Sequence, residues 1–104
     1  MSETFLVIYR PGPAWRAGLP ARDQPPPEHG RYLLDLYHQG HLQAAGPFGD
    51  ETGAALVIEA PDAAQAKTLI DADPAVVQAI FTVEIHLWAL IPWAHYGHKP
   101  KTHP

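Results

Sequence analysis

A histidine at position 29 and an aspartate at position 73 are the two side chains of this sequence whose types and placement best support proton-transfer chemistry. Imidazole titrates near neutral pH, and a carboxylate bonded to one ring nitrogen fixes the tautomer and strengthens the other nitrogen as a base. Helical phase places each of them inward on its own predicted helix, at ends where loops meet. The alternative is structural, with Asp73 capping the turn that follows Pro74 and His29 a satisfied buried histidine. Asp71 is a second carboxylate nearby, but its phase points it away from the buried stripe. Glu84 and His86 form another pair. In a strand, residues two apart project to the same side, so the two either face a ligand cavity between subunits or form a polar interface pair.

The remaining histidines raise the question of metal. His38 and His41 lie three apart around a helix end, and His95 and His98 repeat that spacing near the C-terminus, with His103 beyond. Structural zinc takes four closely arranged ligands, frequently cysteines, and this chain has none. The expectation is therefore no metal and no cofactor. Phosphate-cradling glycine loops and nucleophile elbows are also missing, which disfavours nucleotide-dependent chemistry.

The elements that carry these residues follow from hydrophobic pattern and breakers. Phe5-Leu6-Val7-Ile8-Tyr9 is a β-branched and aromatic run closed by Arg10-Pro11-Gly12-Pro13, a central strand. A Pro- and Gly-rich loop from Pro11 to Pro27 follows, with Trp15 as its apolar anchor; loops of this length are functional or mobile. Pro25-Pro26-Pro27-Glu28 opens a helix that runs to Gly40. At about 100° per residue, His29, Leu33, Leu36 and Gly40 share its inner stripe, flanked by Tyr32 and Tyr37. Leu42–Pro47 and Ala54–Ala60 make a hairpin around Gly49–Gly53. Asp62 caps a second helix, with Ala66, Leu69, Ile70 and Asp73 on one face, until Pro74 breaks it. Phe81–Ile91 is predicted as a long last strand, and the tail from Pro92 as extended or poorly ordered.

The order β-α-β-β-α-β specifies a ferredoxin-like α+β fold with an antiparallel sheet and two helices on one face. Thr82, Glu84, His86, Trp88 and Leu90 then occupy the helix-free face, which is too apolar to stay wholly wet and points to a homodimer. With 104 residues the chain is a single domain, 1–104, its core about 4–93 and its tail 94–104. A net charge of −4, from seven basic and eleven acidic residues, argues against nucleic-acid binding. The N-terminus has neither the basic start nor the apolar length of a signal peptide, and no segment approaches the about 20 apolar residues of a membrane span. A cytoplasmic location with no membrane partner is expected.

Several ordered motifs add to this. They are Glu28-His29-Gly30, the run from Gln39-Gly40 through Ala44-Ala45-Gly46-Pro47, and Ala63-Ala64-Gln65-Ala66 leading to Asp71-Ala72-Asp73-Pro74. Together, over roughly Thr4 to Trp93, they resemble the YciI-like (YCII-related) family. That resemblance implies a dimeric α+β barrel, related in shape to muconolactone isomerases and small monooxygenases, with a His–Asp active site falling on His29 and Asp73. It also implies acid/base chemistry of lyase or isomerase type on small polar or aromatic molecules, as in a relative that removes HCl from a hydroxylated chloroquinol. Gly46 and Pro47, with Glu84 and His86, are then expected to contact substrate. The Pro-rich approach to His29 and the longer histidine-bearing tail depart from the pattern and leave the substrate open. A non-catalytic ligand-binding or interaction module on the same barrel is the competing reading.

Overall fold

The computed structural model describes residues 1–97. Its central element is β1, Glu3–Pro11, in which Phe5, Val7 and Tyr9 are buried while Leu6 and Ile8 face the other side half-covered. Period-two alternation in an apolar run is what allows one strand to serve two faces. Strands β2 (Leu42–Pro47), β3 (Ala54–Ala60) and β4 (Phe81–Leu87) complete an antiparallel sheet in the order β2-β3-β1-β4. Register places Val7 between Leu56 of β3 and Ile85 of β4, and Tyr9 between Ala54 and Val83, so one row of apolar side chains crosses the sheet.

Helices α1 (Pro27–His38), α2 (Ala63–Asp71) and the one-turn α3 (Pro74–Val77) cover that row. Leu36, Ala66, Ile70 and Ala75 meet Phe5, Val7, Tyr9, Leu56 and Ile58 in one core. Burying a side chain such as Leu36 contributes on the order of 2 kcal/mol. This is the ferredoxin-like α+β arrangement expected from the element order, with the turn after Pro74 present as a helix of its own.

Local chemistry sets the element ends. Gly40, at φ +83°, closes α1: its own N–H bonds the Tyr37 carbonyl at 3.1 Å and the His41 N–H bonds that of Leu36 at 2.9 Å. This is the paired bonding of a left-handed glycine terminus. Asp62 caps α2 through the Gln65 N–H at 2.8 Å. Gly53, just before β3, permits a close backbone approach, since a Cβ there would stand 2.1 Å from the Tyr9 carbonyl oxygen.

Two expectations are corrected. The last strand ends at Leu87, not Ile91, because β1 starts at Glu3 and past Leu87 offers one more rung, Trp88 N–H to the Thr4 carbonyl at 2.8 Å. The segment after Pro92 is not extended at its start: Trp93–Tyr96 form a helical turn, α4. His98 and His103 lie outside the described residues.

Candidate functional site

Asp73 occupies the break between α2 and α3. Pro74 cannot continue a helix, so Asp73 turns extended, at φ −62° and ψ 125°, and its side chain aims inward. The carboxylate is fully buried. A buried charge costs several kcal/mol unless it is paired and bonded, and this one is engaged on every side. Oδ1 accepts the Ala75 N–H at 3.0 Å, which caps α3. The Tyr9 hydroxyl donates to Oδ2 at 2.7 Å, and His29 Nδ1 lies 2.8 Å from both oxygens.

His29 reaches this carboxylate from the first turn of α1, where proline at N1 preorganises the backbone. Tyr32, one turn on, donates its hydroxyl to the Leu69 carbonyl of α2 at 2.7 Å, tying together the two helices whose ends carry His29 and Asp73. With Nδ1 donating to Asp73, the imidazole keeps Nε2 without a hydrogen-bond partner among the described residues. The ring is 16% exposed, enough for a small molecule to reach it and too little for bulk water to surround it.

Tyr9 belongs to the site although its pattern marks it only as a core residue. Its signal lies in the inward register with Phe5 and Val7, because a buried phenol needs a polar partner. Burial, followed by the negative charge and hydrogen bond of Asp73, raises its pKa far above that of an ordinary tyrosine. It therefore stays a neutral donor to Asp73 throughout the working range. Tyr32 is pushed the same way, by burial and then by Asp73.

The His29 ring lines a cavity of about 270 Å³, walled by Trp15, Pro25, Leu33, Leu56 and Phe81 and closed on one side by Ala45, Gly46 and Pro47 of β2. Phe81 lies 6.0 Å from the His29 ring and 5.7 Å from that of Trp15, centroid to centroid. The Pro-rich loop forms the roof, and it is stapled. Buried Gln24 accepts the Arg16 N–H at 2.8 Å and donates to the carbonyls of Arg16 and Leu19 at 2.6 and 2.8 Å. The N–H groups of Gly12 and Ala14 bond the carbonyls of Ile80 and Ala79 at 2.8 and 2.9 Å. Gly46 and Pro47 thus share a cavity with His29.

Glu84 and His86 do not. They lie on the helix-free side of the sheet, opposite Ile8 and Leu6, where Glu84 pairs with Arg10 at 2.7 Å and with His86 at 3.3 Å. Hydrogen bonds from Arg10 and His86 lower the Glu84 pKa. Asp71 pairs with Lys67 on the surface of α2. His41 donates Nδ1–H to the Glu59 carbonyl at 3.0 Å, while His38 and His95 are exposed. No group of three or more metal-ligating side chains converges among the described residues, nor is any of their helices long and apolar enough to cross a membrane.

A histidine with one ring nitrogen held by a buried carboxylate, on the wall of an apolar cavity, is equipped to take a proton from a small bound molecule. Comparison with known proteins bears on that chemistry. The YCII-related domain family matches residues 4–89. No functionally curated protein matches the sequence. The fold is similar to that of 5-chloro-2-hydroxyhydroquinone dehydrochlorinase from Burkholderia phenoliruptrix AC1100, solved in complex with 2,5-dihydroxybenzoquinone, with a TM-score of 0.61 and 25% identity over 82% of this chain and 93% of that one.

Proposed function

This chain belongs to the YCII-related domain family, and from that premise we propose that it is an acid/base enzyme of the lyase type acting on a small hydroxylated aromatic molecule. The observation that carries the reading is the His29–Asp73 contact at 2.8 Å on the wall of an apolar cavity. His29 Nε2 is the base that accepts the substrate proton. Asp73 holds the ring in the tautomer that leaves Nε2 free and stabilises the imidazolium once the proton has arrived. Gly46 and Pro47 supply a side-chain-poor wall against which a flat ring can lie, with Trp15 and Phe81 as its aromatic counterpart. Dehydrochlorination by the structurally similar enzyme is of this class: a proton and a chloride leave one molecule, and no electron acceptor is consumed.

The active unit in this proposal is a homodimer formed through the helix-free sheet face. Support comes from the half-covered Leu6, Ile8 and Val57 on that face and from Trp88, 43% exposed at its end. Glu84, His86 and Arg10 become an interface cluster, distant in role from the His29 cavity.

The test is chloride release from 5-chloro-2-hydroxyhydroquinone and a panel of related hydroxylated chloroaromatics. The expected result is turnover of at least one, lowered by roughly 10²- to 10⁴-fold in His29→Gln, the range that general-base catalysis supplies. Binding of panel members without turnover in the wild type would overturn the enzymatic reading in favour of a ligand-binding module on the same cavity.

A further inference from the structure

Apart from His29, the cavity lining contains one charged residue among those described, Arg22. It sits on a single 3₁₀ turn, Ala21–Asp23, at the mouth of the cavity. The turn is held in place: the Ala21 N–H donates to Glu51 Oε1 at 2.8 Å, the Asp23 N–H to the Pro20 carbonyl at 2.9 Å, and the loop behind it is closed by buried Gln24. The Arg22 guanidinium makes no ion pair among the described residues. None of the neighbouring carboxylates pairs with it among the described residues. Glu51 accepts the Ala21 N–H, Asp73 is engaged by His29 and Tyr9, and Asp23 shares with Arg22 the more open groove beside the cavity but does not line the cavity itself.

An exposed arginine on a chain of net charge −4, left without an acidic partner and placed by a rigid turn at the rim of an apolar slot, is arranged to meet an anion from outside. We infer that Arg22 is the specificity residue of the cavity, and that the ligand class is a planar aromatic ring carrying an ionised oxygen. The apolar walls take the ring, and the guanidinium takes the oxygen through a charge-assisted hydrogen bond. This rests on the reading of the cavity as the site and deepens it: proton removal by His29 leaves more negative charge on the ring oxygens, and a cation at the mouth favours that product of the step. A neutral ring of the same shape keeps the apolar contacts and forfeits the ionic one.

Calorimetric binding of two probes tests the inference: 2,5-dihydroxybenzoquinone, ionised at neutral pH, and its 2,5-dimethoxy ether, which cannot ionise. Wild-type protein is expected to bind the dihydroxy probe about tenfold more tightly, a modest strength for one charge-assisted contact. Arg22→Gln should remove that preference by weakening only the dihydroxy probe, Arg22→Lys should restore part of it, and raised salt should narrow it in the wild type because the residue is exposed. If Arg22→Gln keeps the preference, Arg22 is not the specificity residue, whereas the cavity reading stands. Loss of the preference in His29→Gln alone would equally remove Arg22 from that role, since the imidazole would then be the anion partner. Ala45→Trp, on the cavity side of β2 opposite Leu56, should block both probes; binding undiminished by it would locate the probes elsewhere and overturn both inferences together. Failure of the wild type to bind either probe would do the same.

Discussion

Tyr9 donates its hydroxyl to Asp73 across 2.7 Å, so the central strand of the sheet holds the same carboxylate that orients the histidine of α1. This bond ties the site to the core: Asp73 cannot swing away without stranding a buried phenol.

One consequence appears at high pH. The Tyr9 pKa is raised in the folded protein, by burial first and by Asp73 second. The neutral phenol therefore contributes its full stability below the ordinary tyrosine value of 10.0, and that contribution drains away as the pH climbs above it, because the unfolded chain ionises there and the folded one does not. In an alkaline titration Tyr9 should ionise only on unfolding. Tyr9→Phe should lose this alkaline sensitivity and cost about 1–3 kcal/mol at neutral pH, since Asp73 would keep one fewer donor. A phenolate signal from Tyr9 in the folded state would contradict the assignment.

Asp73→Asn retains an acceptor for the Ala75 N–H and so should keep α3, while removing the charge that selects the His29 tautomer. Nitrogen-15 shifts of the His29 ring read this directly. The wild type should show a proton held on Nδ1 and a bare Nε2, the variant a mixture of tautomers, with any turnover falling by at least about 10²-fold. An unchanged tautomer would mean that the pair is not coupled.

The Pro-rich loop depends on one side chain. Gln24→Ala leaves the Arg16 N–H and two carbonyls without their partner, a loss of about 1–3 kcal/mol. Amide exchange should accelerate over residues 15–24 while β1 and β3 remain protected. Ligand affinity should drop more than any catalytic rate constant, because the roof of the cavity loosens and the His29–Asp73 pair is untouched.

Dimerisation through the helix-free face has its own test. Trp88→Asp should shift light-scattering mass at micromolar concentration from dimer to monomer, whereas Trp15→Asp should leave the mass unchanged and disturb the cavity. A monomeric wild type would remove the proposed interface.

Much of this arrangement is legible in the chain itself. Apolar period and proline and glycine breaks specify four strands, the two main helices and their order, because these are local properties that tolerate little ambiguity over five to twelve residues. The same phases put His29 and Asp73 on inward stripes. They do not decide between a capping Asp73 and a pairing one. Packing resolves that alternative by making both true: Oδ1 receives the Ala75 N–H while the carboxylate as a whole faces His29. Sequence patterns see one element at a time, whereas a carboxylate has lone pairs enough for partners from three elements.

Tertiary structure alone decided the rest. Tyr9 joins the site through a bond to Asp73 that spans 64 residues: its inward register says that the phenol needs a polar partner, and only the folded chain says which. Glu84 and His86 stand on the helix-free face, as their strand phase predicts; what the tertiary structure adds is that Arg10 of β1 pairs with Glu84 there and that the His29 cavity lies on the other side of the sheet. Arg22 lies in the Pro- and Gly-rich loop, where no pattern singles it out. It becomes a cavity residue only in the folded loop, which the Gln24 side chain closes through bonds to the Arg16 and Leu19 backbone that no periodicity encodes.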